Sequence, residues 1–235
     1  FKYQSPERAL FGFGSLQGIQ DEIRSRKLTK ALLVTGRDLA DTAIVKNVIY
    51  ALEAADTGYA LFTDFKPNPT TNNVNQGSDA FIRNQCDFLI SVGGGSAHDC
   101  AKAISVVAAG GGKIEDYTGA DKSSRAYPLI AVTTTAGTGS ECTSDYVVVD
   151  EAQNRKYGNS DRNVLPVLAV DDYELMMNMP ASLTAGTGMD ALTHAVEAYI
   201  GRSTTRQTRQ EALEATRLVF ANVERAYRNG KDYEA

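Results

Sequence analysis

Short apolar runs alternate with amphipathic stretches along most of this chain, and the two periods predict different elements. KALLVT, Lys30–Thr35, is a continuous apolar run stopped by Gly36, as expected of a strand buried on both faces. Over Asp41–Ala55 the apolar positions Ile44, Val48, Ala51, Leu52 and Ala55 recur at helical spacing. GYALF, Gly58–Phe62, predicts a second strand, followed by a loop through the PNP turn at Pro67–Pro69. A helix over Asn73–Gln85, the strand DFLISV over Asp87–Val92, another helix, and a strand over Leu129–Thr133 continue the alternation. Between 146 and 170 the pattern changes: YVVVD and VLPVLAV flank a polar, turn-rich segment, which predicts a hairpin or an extension of the sheet. Beyond Pro180 no strand pattern survives. Residues 182–200 and 205–228 read as helices, the second striped by Ala212, Ala215, Val219 and Val223.

Strands alternating with helices predict a parallel sheet covered on both faces, because parallel crossovers need such connections. The expected fold is α/β: a Rossmann-like nucleotide-binding domain over residues 1–178, then the start of an all-helical domain over 179–235. That second part, about 55 residues, has little core of its own and reads as incomplete.

Composition narrows the functions. The 235 residues carry a formal net charge of −5, which argues against nucleic acid or an anionic membrane as partner. No apolar run of about 18 residues is present, so no membrane span is expected. The stretch FKYQSPERALFGFG lacks the basic start and apolar core of a signal peptide. Cys86, Cys100 and Cys142 show no CxxC spacing and read as reduced thiols of a cytoplasmic protein.

Three motifs carry the chemistry. ISVGGGSAHDCAKA, residues 90–103, is a strand, a glycine turn and a helix start. Glycines without Cβ let a backbone close on a phosphate, and the helix N-terminus offers donors and a positive dipole end. TTTAGTGSE, residues 133–141, places small hydroxyls after another strand, where they can bond phosphate or ribose or simply form a solvated turn. Two such loops after two strands of one sheet suit a ligand crossing both, such as a dinucleotide. TGMDALTHAVEAY, residues 187–199, sets Asp190 and His194 on one helical face, suited to a divalent metal but short of a full ligand set. The only other histidine, His98, sits at the start of the phosphate-loop helix and reads as ligand-adjacent or solvent-facing. No G-x-S-x-G elbow supports a hydrolase.

GGGSAHDCAKA, TTAGTGSE and MPASLTAGTGMDALTHAVEAY, in this order, closely resemble the signatures of the iron-containing (group III) alcohol dehydrogenases, and PNP and FGFG fit as well. The resemblance implies a dehydroquinate synthase-like architecture in which a nicotinamide cofactor, NAD or NADP, lies in a cleft beside a divalent metal. On the matching positions, Gly94, Gly95 and Ser96 would hold the pyrophosphate. Thr134, Thr135 and Thr138 would line the cofactor, with Asn68 and Lys156 touching it. Asp190 and His194 would be two ligands of Fe²⁺, or of Zn²⁺ as its competitor, and would act in catalysis through the metal. The implied activity interconverts a small alcohol and its aldehyde or ketone, in a homo-oligomer. Family members carry two more histidines in a segment of the kind GLxHxxAHxxG. No such segment is present, so the sequence is expected to be a piece of a longer enzyme. The alternatives are a truncated, inactive nucleotide-binding relative and a glycerol dehydrogenase-like zinc enzyme. Many family members have an Asp where Gly36 stands; its replacement, with Arg37 alongside, is expected to admit NADP, with Asp38 the alternative partner for the ribose.

Overall fold

A computed structural model describes residues 5–235 of the chain. Residues 1–4, with which the stretch read for a leader begins, lie outside the described residues. Among the described residues eight strands form: β1 (Arg8–Phe11), β2 (Lys30–Thr35), β3 (Gly58–Phe62), β4 (Phe88–Gly93), β5 (Leu129–Thr133), β6 (Asp145–Asp150), β7 (Arg155–Ser160) and β8 (Leu168–Asp171). The helices are α1 (Ile19–Arg26), α2 (Arg37–Ala40), α3 (Ala43–Glu53), α4 (Thr71–Arg83), α5 (Gly95–Gly110), α6 (Ala181–Ile200) and α7 (Arg206–Arg228).

Six strands make one sheet in the order β1-β8-β5-β4-β2-β3, every pair parallel. The alternation of side chains across the pleat explains the unbroken apolar runs, since each face needs its own half of the residues. On one face Leu32, Val34 and Leu89 join Val74 and Phe81 of α4 and Ile104 of α5. On the other, Ala31, Leu33 and Ile90 join Ile19 and Ile23 of α1 and Val45, Val48 and Leu52 of α3. Both α4 and α5 lie close because Gly77 has no side chain: a Cβ there would stand 2.3 Å from Ile104 Cδ1.

The strand order reverses between β2 and β4, because the chain runs outward from β2 to β3 and then returns to the other side of β2. At such a switch the loops at the carboxyl ends diverge and leave a crevice, here between Gly36 and the Gly93–Gly95 turn.

Two elements depart from the expectation. The edge strand β1 was not anticipated; its four residues carry no apolar alternation of their own. The segment 146–170 holds both expected forms, a hairpin and an extension of the sheet, but its polar stretch is itself a strand, β7. β6 pairs with the polar strand β7, Val148 opposite Tyr157, whereas β8 joins the main sheet. Polar β7 is a strand because only one face of the hairpin is covered: Tyr146 and Val148 of β6 enter the core beneath it.

The helices α6 and α7 pack on each other, yet each buries only one residue, Ala195 and Ala212. Met189, Ile200 and Phe220 are 54%, 69% and 71% exposed, so this pair has apolar surface without a core to match.

Candidate functional site

The glycine turn and the hydroxyl loop interlock at the carboxyl edge of the sheet. α5 begins at Gly95 with Gly94 as its cap residue, no side chain capping it and no acidic residue in its first turn. Its leading N–H groups and positive dipole end therefore face the crevice unopposed. A Cβ on Gly94 would lie 2.9 Å from Thr135 Oγ1, and one on Gly95 3.0 Å from Thr138 Cγ2. The glycines are thus required by the threonines of the other loop, and Thr134 N donates to Gly93 O at 3.0 Å.

The PNP turn closes the same crevice from the side. Asn68 adopts a left-handed φ of 55° and donates its backbone N–H to Ser96 Oγ at 3.2 Å. Lys156 of β7 donates to Asn68 Oδ1 at 2.9 Å. Val149 N bonds Pro69 O at 2.9 Å, which ties the hairpin to this turn. Gly94, Gly95, Ser96, Asn68, Lys156, Thr135 and Thr138 are therefore one connected set, with the buried Thr134 beneath them. Gly36 stands across the switch point, and a Cβ there would meet nothing within 4 Å.

Asp190 and His194 lie on α6, with His194 Nε2 3.6 Å from Asp190 Oδ1. Their side chains are 43% and 58% exposed, free to turn toward a common ion. Thr187, Asp190 and His194 follow one stripe of the helix. Thr187 touches the hydroxyl loop, since a Cβ on Gly137 would meet its carbonyl oxygen at 2.8 Å. One loop thus contacts both the glycine turn and the helix of the Asp–His pair. Among the described residues no group of three or more His, Cys, Asp or Glu gathers to hold a metal. A carboxylate and an imidazole on one face fit two positions of a divalent-metal set.

Three features lay beyond the sequence reading. Lys102 is fully buried, and its Nζ donates to Ser140 O at 2.6 Å, Asp145 O at 2.8 Å, Ser140 Oγ at 3.0 Å and Thr143 Oγ1 at 3.2 Å. Asp99, one turn earlier, accepts from Ser140 Oγ at 2.9 Å and from Val147 N at 3.1 Å. Burial lowers the Lys102 ammonium to about 8 against the pull of Asp99. Asp and Lys three apart after the glycine turn were the legible signal. The third feature is Asp171, at the end of β8, raised to about 7 by burial and then by the charge of Glu141.

His98 corrects the expectation of a solvent-facing side chain. It is fully buried, shares a 2.7 Å hydrogen bond with Ser91 Oγ through Nδ1, and leaves Nε2 without a partner. The helix starts one residue after Gly94, so its fourth residue already points back onto the sheet. Burial, followed by the charge of Lys102, lowers the His98 pKa to about 3. The unfolded chain takes up this proton near 6.5 and the folded one only near 3, so stability is complete above 6.5 and drains away as pH falls between those values. Wild type should therefore lose about 1.4 kcal/mol per pH unit more than His98→Gln across that window. Denaturant melts of both from pH 7 to 4 would show it; parallel curves would mean that His98 titrates normally.

Comparison with known proteins agrees with this geometry. Residues 6–173 match the family described as iron-containing alcohol dehydrogenase, and residues 184–235 match the carboxyl-terminal family of the same group. Alcohol dehydrogenase 4 of Schizosaccharomyces pombe is 43% identical over 231 residues, 98% of this chain and 55% of that protein. An NAD-dependent methanol dehydrogenase of Bacillus methanolicus is 40% identical over 98% of this chain and 61% of its own length. The crystal structure of a 1,3-propanediol oxidoreductase superposes with a TM-score of 0.97 at 37% identity, covering 100% of this chain and 62% of that one. The chain thus spans 55–62% of the length of these relatives.

Proposed function

Because the chain belongs to the iron-containing alcohol dehydrogenase family, we propose that it is part of an oxidoreductase interconverting a small alcohol and its aldehyde or ketone by hydride transfer with NAD or NADP. The observation that carries this reading is the interlock of Gly94 with Thr135 and Gly95 with Thr138 at the switch point of the sheet, on a loop that also touches α6. On this reading residues 1–178 are the nucleotide-binding domain and 179–235 the first part of the metal and substrate domain.

The start of α5, Ser96 and Asn68 hold the pyrophosphate, with Lys156 supplying a positive charge beside it. Thr135 and Thr138 hold the cofactor against the glycine turn, and Thr134 supports them from below. Asp190 and His194 hold two positions of Fe²⁺, with Zn²⁺ as competitor. When bound, the ion supplies Lewis-acid polarisation of the substrate oxygen, and the nicotinamide supplies the hydride acceptor. The Thr187 contact ties the Asp–His stripe to the cofactor loop, which supports a reading in which metal and cofactor meet at that junction. The alcohols named for the relatives do not fix the one used here. Free Cys86, Cys100 and Cys142 support a cytoplasmic setting, and exposed Phe11 and Phe13 beside the edge strand support a homo-oligomer. No helix among the described residues is long and apolar enough to cross a membrane.

The test is a fluorescence titration with NADH. Gly95→Val drives a branched side chain into Thr138 and should weaken binding at least tenfold, about 1.4 kcal/mol. Equal affinity in wild type and variant would place the nucleotide elsewhere. Nucleotide binding without turnover in the metal-loaded protein would favour the inactive relative.

A further inference from the structure

The side chains at the ends of β2 and β3 form an ion pair that the nucleotide site does not yet use. Arg37 Nη2 lies 2.5 Å from Asp64 Oδ1, the two side chains being 72% and 64% exposed. When a pyrophosphate sits on the glycine turn of one strand, the adenosine ribose falls at the end of the strand beside it. There a carboxylate accepts the 2′-hydroxyl, or an arginine accommodates a 2′-phosphate. The strand beside β4 across the switch point is β2, followed by Gly36, where the space of a side chain is open.

Both partners are anchored against this spot. Helix α2 packs on the glycine turn, since a Cβ on Gly93 would lie 3.9 Å from Leu39 Cδ1. The Asp64 carbonyl accepts from Asn73 Nδ2 at 3.0 Å, at the start of α4. Asp64 belongs to the same loop as Asn68, already part of the pyrophosphate set.

We propose that Asp64 and Arg37 together determine the choice between NAD and NADP. Asp64 supplies from the neighbouring strand the carboxylate that Gly36 lacks, and accepts the ribose 2′-hydroxyl of NAD. Arg37 is the counter-ion of Asp64 in the free protein and pairs with the 2′-phosphate of NADP, which must draw the guanidinium away against repulsion from Asp64 and Asp38. Because attraction and repulsion stand side by side, the protein takes both cofactors with little discrimination. The inference rests on the nucleotide-site reading above.

Titrating NADH and NADPH into wild type, Asp64→Asn and Arg37→Ala tests it. Asp64→Asn should raise affinity for NADPH relative to NADH by roughly fivefold, the scale of one exposed charge contact, and Arg37→Ala should lower it by a similar factor. Salt should weaken NADPH binding less in Arg37→Ala than in wild type. Opposite shifts distinguish a role in specificity from loop support, which would move both nucleotides together. An unchanged ratio in both variants, or shifts in the same direction, overturns this inference alone. Failure of wild type to bind either nucleotide overturns the nucleotide site itself.

Discussion

On the proposed assignment, Asp190→Ala should abolish retention of a divalent metal and leave nucleotide binding intact. Asp190 and His194 share one stripe of α6 with Thr187, and among the described residues their side chains pair only with each other, at a 3.6 Å approach of Nε2 to Oδ1 that is too long for a strong hydrogen bond. A carboxylate contributes both charge and a ligand atom, so its removal should cost more than the roughly 10–100-fold typical of groups that merely orient ligands. The glycine turn, Ser96 and Asn68 stand on other elements and keep their contacts with the hydroxyl loop. The check is elemental analysis after desalting, beside an NADH titration of the same sample. A variant that retained its metal would remove Asp190 from the ligand set. One that lost nucleotide as well would show that the two functions share more than the Gly137–Thr187 contact.

Lys102→Met should be the most destabilising single change in the α/β region, by about 3–5 kcal/mol. The methionine fills the space but leaves Ser140 O and Asp145 O without their shared donor, and removes the charge that offsets Asp99. Asp99 already titrates above the ordinary carboxylate range through burial, with Lys102 the largest influence pulling it down. Adding Asp99→Asn to Lys102→Met should therefore recover part of the loss, a coupling that a double-mutant cycle in denaturant would measure. Additive costs would mean that lysine and aspartate are independent. Lys102 itself also has a pH signature. Its folded pKa of about 8 lies below the unfolded 10.5, so the folded state sheds the proton first and wild type should gain stability between those values. The methionine variant should lack that gain.

The sequence made the sheet legible where each strand is buried on both faces. KALLVT and LIAVT coincide with β2 and β5 because a run whose polar residues stand only at its ends can satisfy only one environment. The edge strand β1 and the polar β7 were not legible, since a strand covered on one side, or only four residues long, takes its structure from partners far away in the sequence. The glycine and threonine loops were legible as motifs; their dependence on each other was not, because the need for Gly94 is set by Thr135, forty-one positions further on. The carboxylate of Asp64 was hidden for the same reason. A local reading of Gly36 finds Arg37 and Asp38 beside it, but not a residue brought by the adjacent strand. His98 was misplaced because a residue near a helix start lies close to the ligand end along the chain while its side chain returns to the sheet.

The pairing of β1 with β8 also dictates an order of assembly. Arg8 is opposite Leu168, and the turn after β1 is held by Asp172, whose carboxylate accepts from Gly14 N and Leu16 N. During synthesis β1 leaves the ribosome before the other strands described here and meets its partner only some 160 residues later, when β8 emerges against β5. The core strands β2, β3, β4 and β5 can meet one another as they appear, so the sheet grows from its middle. Of the described strands, β1 is made before the rest of the sheet yet is among the last to be seated.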